Sequence, residues 1–293
     1  MKVEAECAAC ILSRAAAEAR EATPNPALRF RAMCDLMRLL TKEFRPTAVP
    51  ADLGTMRDRT VRRVTGNNDP YKRSKRISNE KAMKLLLYAR KIVEEGYAQE
   101  DRFKRACLVA IVGNVIEFDI PGHKASFSSL RKNFRDALKD LVVDDINKAY
   151  ELAKKAHNIL YLTDNAGEIV FDTLLVEQLK NMGLTVTVAV KAAPIINDAT
   201  LEDAEASGMS KIADKVITTG ADAVGFALKE VSPEFLSVYK SADMVFAKGM
   251  GYAETLTEYK LEKPHFLLFR TKCNPVADYF GVPREKNVAK LMP

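Results

Sequence analysis

Long apolar runs are missing from this chain of 293 residues. The longest uninterrupted ones are short, such as Ala106 to Val112, and no stretch of 18 apolar residues exists to span a bilayer. Cysteine is sparse and odd in number, five residues at positions 7, 10, 34, 107 and 273, which argues against a disulfide framework and suits a reducing compartment. The start, Met1-Lys2-Val3-Glu4-Ala5-Glu6, carries two acids where a secretion signal needs an apolar core, so a cytoplasmic location is expected. Histidine is rarer still: His123, His157 and His265 stand apart from one another, and none precedes position 123. A closed zinc centre therefore has no ligand set, and Cys7 with Cys10, three apart on one helix face, is half of one at most, with Cys34 as the one plausible helper. No internal repeat and no low-complexity linker divides the chain.

What is present is an apolar fraction of 47%, enough for a sizeable core, and dense charge of both signs, 45 basic against 39 acidic residues for a formal net of +6. The basic stretch Arg57, Arg59, Arg62, Arg63, Lys72, Arg73, Lys75 and Arg76 is the best case for a nucleic-acid surface. Tyr71 is its single ring, so base stacking has little support, and solvated helix faces or a funnel for small anions are expected instead.

Along the first hundred residues apolar positions recur every three or four, with breaks at Pro24-Asn25-Pro26, Pro46 to Pro50 and Gly66 to Pro70, the pattern of successive helices. Ala82, Leu85, Leu86, Ala89, Ile92 and Val93 form one such stripe, and two more helices are expected over about 128–141 and 144–156. From Asn158 the texture changes. Short β-branched runs at Ile159 to Thr163, Leu184 to Val190, Lys215 to Thr219, Met244 to Ala247 and Phe266 to Phe269 alternate with helix-compatible segments. That alternation predicts an α/β fold, a Rossmann-like three-layer α/β/α sandwich with a mainly parallel sheet, preceded by an all-helical N-terminal domain; the expected division is 1–110 and 111–293.

Parallel strands put their carboxyl ends on one edge, so the segments that follow successive strands converge in space. Four of these are polar in a related way: Asp164-Asn165-Ala166-Gly167-Glu168, the run Lys191 to Thr200, the run Lys248 to Thr255, and Arg270-Thr271-Lys272-Cys273. Asp164, Asn165 and Asp198 offer hard oxygen donors with no His or Cys among them, which favours a cation of the Mg2+ or Mn2+ kind. Lys191, Lys248 and Lys272 offer positive point charges, and Gly249 with Gly251 would let backbone N–H groups approach an anion. Acids for a metal and lysines for an anion are the two halves of a phosphoryl-transfer site. Either aspartate taken alone fits a helix cap as well as a ligand; four converging segments of matching polarity favour the site.

On these residues the chain resembles the damage-control phosphatase family, also known as domain of unknown function 89 and as acidic-residue-methyltransferase-like, in its archaeal and bacterial branch. The resemblance spans nearly the whole chain, from Cys7-Ala8-Ala9-Cys10 through Asn67 to Tyr71, Gly113 to Glu117, the turn at Asp164 to Glu168, Pro194 with Asn197 to Thr200, Lys248 to Gly251 with Glu254-Thr255, and Lys272-Cys273. It implies a divalent-metal-dependent phosphatase, a phosphoric monoester hydrolase acting on small phosphorylated metabolites such as sugar phosphates, served by Mg2+, Mn2+, Co2+ or Ni2+. Asp164, Asn165 and Asp198 match the family's metal ligands, and Asn114, Lys248 and Lys272 fall on its substrate positions, with Glu117, Lys191, Gly249 and Glu254 counted among the substrate-binding candidates. Two departures stand out: Glu117 replaces an Asp, and Tyr252 replaces an Asn.

The expected catalytic set is Asp164, Asp198 and Glu168. A cation lowers the pKa of water, lysines neutralise the phosphoryl oxygens, and Asp198 or Glu168 positions the attacking water. Ala166 stands where the haloacid-dehalogenase phosphatases keep a second Asp, so direct attack by water ranks above a phospho-enzyme on Asp164. The alternative is a nucleotide- or S-adenosylmethionine-dependent transferase on the same sheet, against which the first turn lacks Gly-x-Gly-x-x-Gly. A nucleic-acid binder acting through residues 57–76 ranks last.

Overall fold

The computed structural model of the chain describes residues 1–113 and 127–293, with backbone alone for 127–130. The expected residues Asn114 and Glu117, and His123, lie outside the described residues.

Three helices come first, α1 (Glu6–Ala22), α2 (Pro26–Glu43) and α3 (Pro50–Thr65). The proline pairs of the sequence mark their starts: Asn25 caps α2 with its side chain accepting from Ala27 N, Pro26 and Pro50 occupy first helical positions where no N–H is needed, and Gly66 ends α3 at φ 71°. Their apolar faces make a small core of their own around Ile11, Ala15, Leu36, Leu40 and Leu53.

The rest is a layered sandwich. After α4 (Lys72–Glu94), α5 (Gln99–Val112) and α6 (Phe127–Asp140) the chain runs through β1 (Leu141–Asp144), α7 (Ile146–Ala153), β2 (Asn158–Leu162), α8 (Glu168–Asn181) and β3 (Thr185–Val190). It continues through α9 (Leu201–Ser207), β4 (Lys215–Thr218), α10 (Pro233–Ser241), β5 (Met244–Lys248), α11 (Met250–Leu256), β6 (His265–Arg270), α12 (Asn274–Phe280) and β7 (Asn287–Met292). The sheet order is β1-β7-β6-β5-β2-β3-β4, parallel throughout except for the antiparallel pair β6 and β7. The central strands are buried on both faces, and alternate residues of β2 go to opposite cores. Ile159 and Tyr161 pack under α4, α5 and α8, whereas Leu160 and Leu162 pack under α10 and α11.

All five expected strands are present. Two more, β1 and β7, escape the sequence reading for a physical reason: Leu141-Val142-Val143 is fused to the end of a helix, Lys290 interrupts β7, and β1 depends on pairing with β7, and β7 on pairing with β1 and β6, rather than on a run of β-branched residues. The buried faces of α4 and α5 join the core of the sheet, so the change of core falls between α3 and α4, whereas the expected division lies at residue 110. Among the described residues no helix is long and apolar enough to cross a membrane.

One buried histidine links this packing to pH. His265 opens β6 with no solvent exposure; its Nδ1–H donates to Lys263 O at 2.8 Å, which leaves Nε2 to accept from the Tyr239 hydroxyl at 3.2 Å. Burial pushes its pKa down to about 4, so the folded chain keeps the ring neutral while the unfolded chain takes up a proton near 6.5. Below pH 6.5 the unfolded state therefore binds more protons, and the stabilisation present above that pH is lost as pH falls toward 4. Urea titrations at stepped pH should show His265→Gln removing a pH-dependent loss of up to about 3 kcal/mol across this window. Parallel pH slopes for the two proteins would count against it.

Candidate active site

The carboxyl ends of β2, β3 and β5 meet on one edge, and the loops there are tied together by backbone hydrogen bonds rather than merely adjacent. The segment after β3 folds back along the turn after β2: Ala199 N donates to Asp164 O at 2.8 Å, Ala166 N to Asn197 O at 2.9 Å, and Lys191 N to Ala199 O at 2.9 Å. Asn165 and Asp198 thereby become partners in a short antiparallel bridge. Two acids 34 positions apart in sequence are fixed side by side by main-chain geometry.

Other elements hold these loops from outside. Asn79 of α4 accepts from Gly167 N at 2.7 Å, taking up one of the unpaired N–H groups at the start of α8, and donates to Asp203 at 2.8 Å. Asp203 in turn closes the capping box of α9 with Thr200, so a single buried amide spans both crossovers. Asp58 of α3 accepts from Ile196 N at 2.9 Å. Ile196 has φ 48°, a left-handed conformation that costs a β-branched residue on the order of 1–3 kcal/mol and is found where surrounding structure over-determines it.

Asp164, Asn165, Asp198, Glu254 and Lys272 line a cavity of about 270 Å³ between this edge and helices α1 and α3. The Asn165 amide donates to Asp164 Oδ2 at 3.0 Å and to Glu168 Oε1 at 2.7 Å, which leaves its carbonyl as the oxygen available to a cation. Gly249 sits at φ 87°, and a Cβ there would lie 2.0 Å from Asp164 Oδ2. The glycine exists to admit that carboxylate.

Several expected roles change. The Gly249 N–H is bonded to Leu268 O at 2.9 Å, extending the sheet, and does not serve as an anion donor. Gly251 packs against the 224–225 loop, where a Cβ would meet Val224 at 2.8 Å. Lys248, expected on the phosphate, is 1% exposed; its ammonium donates to Ala110 O at 2.9 Å and lies 3.2 Å from Asp172 and 3.5 Å from Glu168. Lys191 is 2% exposed and is held by Gly225 O at 2.9 Å and the Tyr252 hydroxyl at 3.3 Å, with Asp198 at 3.7 Å. The two lysines thus face the carboxylates from behind rather than from the cavity, because strand-end side chains long enough to reach forward are equally able to run back along the buried helix. Tyr252, where the resemblance expects Asn, is the residue that fixes Lys191, and Glu168 is turned toward Asn165 and Lys248 instead of the cavity. Asn79, Asp58 and Asp172 carried no signal in the sequence beyond being polar residues on helix faces.

The electrostatics follow from burial. Desolvation, with Glu168 and Asp198 close by, pushes the Asp164 carboxyl well above the usual carboxylate range, against the pull of Lys248 and Lys272. Desolvation also raises Asp198 to about 6, partly offset by Lys191. Protein cations therefore leave negative charge uncompensated on the cavity side. Among the described residues no three His, Cys, Asp or Glu side chains are placed to hold a metal by themselves. The donor set here is two carboxylates and a carboxamide carbonyl, which fits a hard dication that takes few protein ligands and completes its shell with water and phosphate oxygens.

The chain is similar along its whole length to known proteins. The chain is 36% identical over 297 residues to a damage-control phosphatase of Archaeoglobus fulgidus, covering all of both proteins. It is 38% identical over 287 residues to a damage-control phosphatase of Pyrococcus horikoshii, covering 97% of this chain and 96% of that one. An uncharacterized protein of Methanocaldococcus jannaschii is 39% identical over 293 residues, 98% of this chain and 95% of its own. The crystal structure of a domain-of-unknown-function-89 family protein from Pyrococcus horikoshii superposes with a TM-score of 0.87 at 37% identity, over 99% of this chain and 98% of that chain. With residues 3–288 matching the damage-control phosphatase ARMT1-like domain, the chain belongs to that family.

Proposed function

We propose that this protein is a divalent-metal-dependent phosphatase that hydrolyses small phosphorylated metabolites. The observation that carries the reading is the backbone bridge that sets Asp164-Asn165 beside Asp198 on a cavity wall, with Lys272 exposed at its rim. The names of the relatives support the phosphatase class. Asp164, Asn165 and Asp198 would hold the ion, which when bound supplies Lewis acidity and lowers the pKa of water.

The remaining work falls to the chain itself. Lys272 has no ion pair among the described residues and meets the phosphoryl group from the cavity side. Lys191 lies against Asp198, and Lys248 against Glu168 and Asp172, from within, so the carboxylates are fixed in a poorly hydrated place. Asp198, which lines the cavity where Glu168 does not, orients the attacking water and accepts its proton at a carboxylate oxygen, while Glu168 holds the amide of Asn165. The water oxygen bonds to phosphorus, the ester P–O bond breaks with its electron pair on the departing oxygen, and that oxygen takes a proton from solvent and leaves as the alcohol. Most of the 57–76 cations are already matched by acids, Arg57 by Glu18, Arg62 by Asp58 and Asp222, Lys75 by Asp69, which supports a small-anion rather than a nucleic-acid partner.

Two outcomes test this. Hydrolysis of para-nitrophenyl phosphate should vanish with chelator and return with Mg2+, Mn2+, Co2+ or Ni2+, and Asp164→Asn or Asp198→Asn should each lower the restored rate at least about a hundredfold; full activity in both variants would remove the site. Gly249→Ala and Gly183→Ala place the same methyl at positive φ, a backbone cost of about 1–2 kcal/mol in either variant, to which Gly249→Ala adds a clash, so it should be the less stable of the two in melting experiments. Nothing lies within 4 Å of a Cβ at Gly183, whereas at Gly249 it meets Asp164, so activity should fall in Gly249→Ala alone.

A further inference from the structure

One cation in the cavity has no task in this mechanism. Helix α1 turns one face to the cavity, Glu6, Cys7, Cys10, Ile11 and Arg14 recurring at helical spacing. Arg14 lies at its far end, exposed, and among the described residues its guanidinium has no hydrogen bond and no ion pair. The contrast with its neighbour is sharp: Arg57 also lines the cavity but is 3% exposed and bonded to Glu18 at 3.0 Å. Most arginines nearby on α3 are likewise matched, Arg59 and Arg62 both reaching Asp222 at 2.6 Å.

The two unpaired cations come from different walls of the cavity, Arg14 from α1 and Lys272 from the loop after β6. The charge of Lys272 acts on Asp164, at the carboxylate centre. That of Arg14 acts on Glu254 and Tyr71, opposing the rise that burial imposes on both. Once a dication balances Asp164 and Asp198 and Lys272 meets the phosphoryl group, the exposed Arg14 guanidinium is the cation left over on the α1 face, sharing a cavity of about 270 Å³ with Glu6 and Glu254 and bonded to neither. That volume is just under the range of about 300–1,000 Å³ usual for drug-sized ligands, so both ends are within reach of one small molecule. An exposed, unpaired guanidinium presents a planar fork suited to a carboxylate or a phosphate.

We infer that Arg14 receives a second anionic group of the substrate, so that the preferred substrates are small phosphorylated acids, with a carboxylate or a further phosphate remote from the scissile ester. This rests on the phosphatase reading and adds the substrate class to it. Specificity is then contributed by the helical layer, and the phosphoryl chemistry by the sheet.

The test is a matched pair, glycerol phosphate and phosphoglycerate, the same carbon chain ending in a hydroxyl or a carboxylate. The metal-loaded wild type should favour the acid in kcat/KM. Arg14→Ala should shrink that preference about ten- to hundredfold, through KM, the amount expected for losing a charged hydrogen-bonded contact, and Arg14→Lys should retain part of it. Equal losses on both substrates, or no preference in the wild type, would overturn the assignment. Should the metal-loaded wild type hydrolyse neither compound nor para-nitrophenyl phosphate, it is the phosphatase reading that fails. Calorimetric binding of phosphoglycerate then decides the role of Arg14 by itself: weaker binding to Arg14→Ala supports it, and equal binding removes it. Thermal melting of each variant separates a loss of contact from a loss of fold.

Discussion

Two carboxylates forced together in a poorly hydrated place are the constraint around which this molecule is arranged. Asp164 and Asp198 cannot separate, because the main chain that carries them is bonded at Ala166, Ala199 and Lys191. Like charges so placed either take up protons or require a counter-charge, and the protein supplies only part of one. Lys191 and Lys248, both buried, hold the inner side permanently, and the cavity side is left to whatever cation and substrate arrive. An enclosed ion pair stabilises a fold only weakly, so this arrangement is better understood as preparation of a site than as reinforcement of a core.

The helical part completes that preparation. Asp58 holds the strained Ile196, Thr55 accepts from Val224 N at 2.9 Å, and Arg59 and Arg62 grip Asp222, so α3 is docked onto the loops after β3 and β4. From the other side Asn79 of α4 joins the turn after β2 to the cap of α9. The cavity is therefore walled by helices on one side and by sheet loops on the other, and neither half encloses it alone. Backbone strain at residue 196 is tolerated because contacts from a separate core pin it in place.

Much of this was legible in the sequence. The acidic turn Asp164 to Glu168 stands directly after an apolar run and before a helical one, which places it at the carboxyl end of a strand without further information. Asp198 reads the same way one strand later, and Lys272 three strands beyond that. For Lys191 and Lys248 the strand-end position says which edge each residue occupies, not whether its flexible side chain turns to the cavity or, as both do, to the buried carboxylates behind it. Gly249 was read as an opening for an anion, yet the group that needs the space is the protein's own Asp164. Asn79, Asp58 and Arg14 were hidden, since on a helix a polar residue that meets a distant loop and one that meets water have the same spacing.

By itself the sequence determined the order of elements, the alternating texture that makes a parallel sheet, and the oxygen-rich donor set at its edge, because periodicity and turn chemistry are local properties of the chain. Only the tertiary structure decided which cations stay paired within the protein and which face the cavity, since pairing depends on contacts between segments such as α1, α3 and the loop at 272, far apart along the chain and brought together by packing alone.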